Sequence, residues 1–226
     1  MEDKIISLFQ PILDCWKGTV IGYEATTKGE IDGKIYSFED YYHMAVERGI
    51  DGSKLDRISR AKSIREFLSK TNGNERVFVN LAPLSIDDAW FMDDLFENMD
   101  KIVLEITENN KFTVTQGILK RMETLKDKGL KIALDDFGKE YSNFKLVLDL
   151  EPDYIKLDKD FVKDLESTHS KNIIKGMLDF TRQTNISLIV EGVETEEQKE
   201  ILLDIGVRYM QGYLLGKPKT IENYFR

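Results

Sequence analysis

The chain has 226 residues, 41% of them hydrophobic, enough for one buried core of the size a single barrel uses. Its 32 basic and 41 acidic side chains leave a formal charge of −9, which excludes a basic face for non-specific binding to DNA, RNA or anionic membrane. The lone Cys15 excludes an intrachain disulfide and a multi-cysteine zinc site, and no apolar run approaches the length of a membrane span.

The N-terminus, Met1-Glu2-Asp3-Lys4-Ile5-Ile6, lacks the apolar core of a signal peptide, so the expectation is a soluble, cytoplasmic protein forming one domain over 1–226. Short β-branched runs alternate with amphipathic ones, as in an α/β fold. Strands are expected at Leu8–Leu13 and Thr19–Glu24. A helix follows, opened by Ser37 three residues before Asp40 and closed by Gly49. Strands Val77–Leu81 and Ile102–Thr107 come next. Ile118, Leu119, Met122 and Leu125 then keep helical spacing up to Gly129. Strands Lys131–Asp136, Tyr154–Leu157 and Ser187–Glu191 lead to a capping box at Thr195 and Gln198, whose helix stops at Gly206. A last strand is expected at Tyr209–Tyr213. About eight strands with helices between them predict a closed barrel, and neither G-x-G-x-x-G nor G-x-x-x-x-G-K-[ST] is present to favour an open sheet with a phosphate loop.

Side chains alternate faces along a strand, so one face of each can be followed to its C-terminal end. There it carries Glu24, Asn80, Glu105, Asp135, Lys156, Glu191 and Gln211. Any one of these acids alone reads as a solvated or capping residue, and Lys156 alone as a surface lysine. Their coincidence at seven strand ends, where a barrel keeps its active site, is what points to chemistry. Converging carboxylates repel one another unless something positive joins them. With no cysteine or histidine among them, the oxygen donors suit Mg²⁺ or Mn²⁺, with Ca²⁺ as a non-productive substitute. Asp135 and Asp136 are adjacent and would face opposite ways in a regular strand. Both are expected at the mouth only if Asp136 lies just past the strand end, where Gly138 permits a sharp turn. His43 and His169 fall in helix or loop and are read as non-catalytic.

At these same residues the sequence resembles the EAL-domain family, bacterial phosphodiesterases acting on cyclic di-GMP. The resemblance runs through Phe9-Gln10-Pro11-Ile12-Leu13-Asp14, Gly22-Tyr23-Glu24-Ala25, Asn80-Leu81-Ala82-Pro83 and Leu104-Glu105-Ile106-Thr107-Glu108. It continues through Leu134-Asp135-Asp136-Phe137-Gly138, Tyr154-Ile155-Lys156-Leu157-Asp158, Val190-Glu191-Gly192-Val193-Glu194-Thr195 and Gln211-Gly212-Tyr213. It implies a modified TIM (β/α)8 barrel with one antiparallel strand. It implies one metal on Glu24, Asn80, Glu105 and Asp135, and a second on Asp135, Asp136 and Glu191. Lys156 would orient the attacking water, Gln211 would support the site, and Glu108 would steady the loop after Asp136. Gln10 and Lys28 would contact substrate. The implied product is linear pGpG, and the implied partner a second copy of the chain in a homodimer.

Two departures stand out. Glu-Ala-Leu is Glu24-Ala25-Thr26, and the arginine usually found two residues after that leucine is Lys28, which offers a phosphate a point charge instead of two parallel hydrogen bonds. The loop usually reading DDFGTGYSS is Asp135-Asp136-Phe137-Gly138-Lys139-Glu140-Tyr141-Ser142-Asn143, without its second glycine. A catalytically weak cyclic di-GMP receptor or interaction module is therefore the alternative within the family. Architecture alone also admits an enolising lyase with Lys156 as base. A glycerophosphodiesterase barrel would need paired histidines near the strand ends.

Overall fold

The link between the first two strands is too short for a crossover, and that decides the topology. In the computed structural model, which describes residues 5–71, 73–81, 98–107, 114–139 and 144–225, β1 (Ile5–Asp14) turns directly into β2 (Thr19–Ile31). Asp14 caps the turn: its Oδ1 accepts the Trp16 and Lys17 amides, and its carbonyl accepts the Gly18 amide at 2.8 Å. Parallel neighbours need a connection of a dozen residues or more, so β1 is antiparallel to β2 throughout. β3 (Lys34–Ser37) extends the far half of β2 as a second antiparallel ribbon.

Every later strand runs parallel to β2. β4 (Arg76–Asn80), β5 (Ile102–Thr107), β6 (Lys131–Phe137), β7 (Tyr154–Leu157), β8 (Ser187–Val190) and β9 (Tyr209–Gln211) follow in order. The ring closes where β9 meets β1 antiparallel through Ile12, Leu13 and Asp14. Arg208 locks that seam with a two-pronged bond to Asp14 Oδ2 (2.9 and 2.6 Å), which holds the Asp14 carboxyl below its usual range. This is the modified barrel with one antiparallel strand.

Among the described residues the helices are α1 (Phe38–Glu47), α2 (Gly52–Lys70), α3 (Gln116–Lys126), α4 (Phe144–Leu150), the short α5 (Asp160–Lys163), α6 (Thr168–Gln183) and α7 (Glu196–Ile205). Their ends follow local chemistry. Ser37 accepts the Asp40 amide, Thr115 accepts that of Ile118, and Thr195 and Gln198 form the reciprocal box. α7 stops at Gly206, in the left-handed region at φ 100°.

Two apolar layers result. The main one lies between the strands and the helices, and includes Phe67, Leu104, Ile132, Leu134, Ile155, Leu178 and Leu202. A smaller one fills the barrel: Ile12, Phe78, Val103, Ala133 and Ile189, with Ile21, Tyr154 and Tyr209 against them. Phe78 needs Gly22 opposite, because a Cβ there would lie 2.7 Å from its ring. The strand ends differ from expectation by a few residues, and β2 most of all, since it continues seven residues past Glu24.

Candidate active site

One pleat above the interior plug lies a polar ring. Two residues on from Gly22, Phe78, Val103, Ala133, Tyr154, Ile189 and Tyr209 come Glu24, Asn80, Glu105, Asp135, Lys156, Glu191 and Gln211. β1 runs the other way, so its member is found two residues back from Ile12, at Gln10. Eight strands thus place eight polar side chains in one layer at the C-terminal mouth.

Lys156 is the centre of that layer and is fully buried. Its Nζ lies 2.6 Å from Glu105 Oε1, 2.7 Å from Glu191 Oε1, 2.8 Å from Asp135 Oδ1 and 3.2 Å from Glu24 Oε2. Burial alone would lower the lysine pKa, but the four carboxylates outweigh it and hold the ammonium well above its ordinary value. One positive charge does not balance four negative ones. Burial raises Glu105, and burial together with Asp135 and Glu24 pushes Glu191 up to about 8, against the pull of Lys156. The expectation that something positive must join these acids holds, and the protein itself supplies part of it.

The remainder of the charge defines what the site fits. An ammonium has three protons, and Glu105 Oε1 and Oε2, Asp135 Oδ1 and Glu191 Oε1 are buried without a directed hydrogen bond. Among the described residues no three acids or histidines form a ready-made metal cage, because they close on Lys156. The donor set itself, buried carboxylate oxygens with unspent lone pairs, suits a hard divalent cation.

Asp135 and Asp136 reach their places by a route the sequence does not suggest. β6 does not stop between them but runs to Phe137, and its pairing with β7 slips between Leu134 and Phe137. Asp136 sits in this bulge with φ 54°, a left-handed conformation that costs a non-glycine residue about 1–3 kcal/mol. The bulge breaks the alternation that would otherwise turn the two carboxylates apart. Burial, followed by the Asp135 charge, raises the Asp136 pKa, while Lys139 at 3.3 Å opposes that rise. Gly138 follows at φ 94°, with its α-carbon so near the Phe161 ring that no side chain fits.

Gln211 positions Glu24. Its Nε2 donates to Glu24 Oε2 at 2.5 Å and to Gln10 Oε1 at 3.4 Å, while Gln10 Nε2 donates to the Gly216 carbonyl at 3.0 Å. Gln10 is therefore engaged inside the polar layer. Asn80 ends β4 with an exposed side chain, beside a cavity of about 250 Å³ shared with Thr26, Asp56 and Arg60. Lys28 is exposed on β2, two pleats beyond Glu24. Glu108, Ala82, Pro83 and 140–143 lie outside the described residues. Sequence reasoning missed Asp158, a buried carboxylate that accepts the Asp160 amide at 2.8 Å, and Lys159 beside it. Period two from Lys156 was the available signal for Asp158.

Glu24, Glu191, Gln10 and Gln211 border a mouth cavity of about 230 Å³ together with Lys159 and Tyr213. A larger cavity of about 590 Å³ lies outside the barrel between Phe144, Leu148, Phe180 and Ile186. It shares no residue with the polar layer.

A family model described as EAL domain matches residues 2–218. The chain is 30% identical over 230 residues to the probable cyclic di-GMP phosphodiesterase PdeG of Escherichia coli, covering 96% of this chain and 45% of that one. It superposes on the PaMucR phosphodiesterase in complex with c-di-GMP with a TM-score of 0.83 at 25% identity, covering 99% and 95% of the two chains. For the manganese/cy-diGMP complex of Klebsiella pneumoniae BlrP1 the TM-score is 0.84 at 28% identity, covering 95% and 56%. The chain spans less than half the length of the curated relatives it matches first.

Proposed function

Because the chain belongs to the EAL domain family, we propose that 1–226 is a single catalytic barrel that hydrolyses cyclic di-GMP to pGpG. The observation that carries this reading is the layer of four carboxylates around buried Lys156, with oxygens left over for a divalent cation. Glu24, Asn80, Glu105 and Asp135 would hold one Mg²⁺ or Mn²⁺, and Asp135, Asp136 and Glu191 a second. Such ions supply a water whose pKa falls from 15.7 towards about 7 and neutralise phosphoryl oxygen charge.

The protein's own groups do the rest. Lys156 Nζ, fixed from four sides, holds the water against phosphorus. Gln211 and Gln10 keep Glu24 in place, and Lys28 meets a phosphate of the substrate. The water oxygen bonds to phosphorus, the bond from phosphorus to one 3′-oxygen breaks, and that oxygen leaves with a proton. One ring opening gives the linear dinucleotide with a 5′-phosphate. Glu108 would steady the loop after Asp136. Ca²⁺ would bind without supporting turnover. The exposed apolar side chains Phe144, Leu148 and Ile173 on α4 and α6 would form the face for a second copy, and the protein would act in the cytoplasm.

The test is incubation of the purified protein with cyclic di-GMP and Mg²⁺ or Mn²⁺, with products resolved by chromatography. The expected result is pGpG, absent with EDTA and in Glu24→Gln. Nucleotide bound but unchanged would replace the enzyme with a receptor, a second reading favoured by Lys28 standing exposed where an arginine would grip phosphate.

A further inference from the structure

The mouth cavity has a wall that the hydrolytic chemistry leaves unused. Tyr213 lines it opposite the carboxylates while remaining 57% exposed. An exposed aromatic is unremarkable by itself. This one is held on a stiff turn: Leu214 donates to the Val193 carbonyl, Leu215 and Gly216 both donate to that of Gly212, and Gln10 bonds the Gly216 carbonyl. The turn is therefore tied to the polar layer through the same glutamine that bonds Gln211. Lys217 stands over the Tyr213 ring, its Nζ 5.7 Å from the centroid, and its carbonyl accepts the Tyr224 hydroxyl at 2.6 Å. Lys159 adds an exposed ammonium to the same cavity, with its stem packed at Gly192 beside Glu191.

A flat ring presented rigidly, a cation over one face and a second cation beside the reacting centre make a site for a nucleobase and its phosphate. Base–aromatic stacking needs only the π-face, and the neighbouring ammonium strengthens it. Lysine on the cavity wall also offsets the acids there, which would otherwise repel a phosphodiester.

We propose that Tyr213 is the stacking platform for one base of the dinucleotide substrate, with Lys217 backing the ring and Lys159 meeting the adjoining phosphate. The proposal rests on the nucleotide reading above and assigns the residues that separate a nucleotide from a bare phosphodiester. Tyr213 is a positioning residue and does not touch the reacting atoms.

Calorimetric titration of cyclic di-GMP in Ca²⁺ tests it on wild type, Tyr213→Leu, Tyr213→Phe and Lys159→Ala, with Mn²⁺ affinity measured alongside without nucleotide. Tyr213→Leu should weaken nucleotide binding by about five- to a hundredfold. Tyr213→Phe should stay within about threefold of wild type, because it keeps the ring. Lys159→Ala should weaken binding and flatten its salt dependence. Mn²⁺ affinity should not move in any variant. If wild type binds and Tyr213→Leu binds equally well, the platform is wrong and the nucleotide reading survives. If wild type binds no cyclic di-GMP, both fall.

Discussion

Replacing Lys156 by Met removes the only positive charge that the described structure places among Glu24, Glu105, Asp135 and Glu191, and keeps much of the side-chain volume. Breaking a buried ion pair from one side costs about 3–5 kcal/mol, because the partner's charge is left without compensation. Four partners compete for this ammonium, so the upper end applies wherever they stay ionised. A chain of this size loses about 2–4 °C of melting temperature per kcal/mol, which gives a deficit of roughly 6–20 °C. The deficit should depend on pH. Glu191 titrates near 8 with burial as the main cause, and Glu105 is raised as well, so below that pH the variant can take up protons and recover. The assay is thermal unfolding of wild type and Lys156→Met at pH 6 and 8.5, in EDTA and in Mn²⁺. The expected pattern is a large deficit at pH 8.5 in EDTA, reduced at pH 6 and reduced by Mn²⁺. A variant melting within about 2 °C of wild type at pH 8.5 in EDTA would refute the electrostatic account.

The wild type itself should respond to pH in EDTA. Glu191 keeps its proton in the folded state up to about 8, while the unfolded chain releases it near the ordinary carboxylate value. The stability this proton contributes is complete below the unfolded pKa and is lost as pH rises through the folded one, at about 1.4 kcal/mol per unit. Melting temperature should therefore fall between pH 6 and 8, and flat behaviour would contradict the raised pKa. Gln211→Leu removes the donor that fixes Glu24 and should lower kcat about 10–100-fold with little change in KM; steady-state kinetics decide it. Gly138→Ala puts a methyl group against Phe161 at a left-handed backbone position and should cost about 2 kcal/mol or more in a denaturant titration. Lys28→Arg should tighten cyclic di-GMP by several-fold through a bidentate grip. Unchanged affinity would detach position 28 from the phosphate.

Much of the barrel was legible because its strands are short, β-branched and buried on both faces, and because α1, α3 and α7 announce their ends with Ser37, Thr115, Thr195 and glycines. α2 was not legible. It buries Asp56, Ser59, Arg60 and Ser63 along with Leu55, Ile64 and Phe67, so no apolar stripe marks its inner face. α6 carries Ile174, Leu178 and Thr181 at helical spacing and could have been read from that pattern. The antiparallel strand also left a trace. Expected strands at Leu8–Leu13 and Thr19–Glu24 are separated by too few residues to be parallel neighbours.

The polar layer shows why strand alternation succeeds at seven positions and fails at the eighth acid. A regular strand has one inward residue per pleat, so a ring of eight strands can offer eight side chains at one height. Glu24, Asn80, Glu105, Asp135, Lys156, Glu191 and Gln211 follow that rule forwards, and Gln10 follows it backwards because β1 is reversed. Asp136 has no place under the rule. It is brought beside Asp135 by a register slip and a positive φ, both of which cost stability in a strand otherwise buried and paired. Strain of that kind persists only where the surroundings over-determine it. Here they are the β7 pairing resumed at Leu157 and the Phe161 ring packed on Gly138. The one acid that periodicity misplaces is therefore also the one that the fold holds by force, as expected of a residue kept for its carboxylate and not for its fit to the sheet.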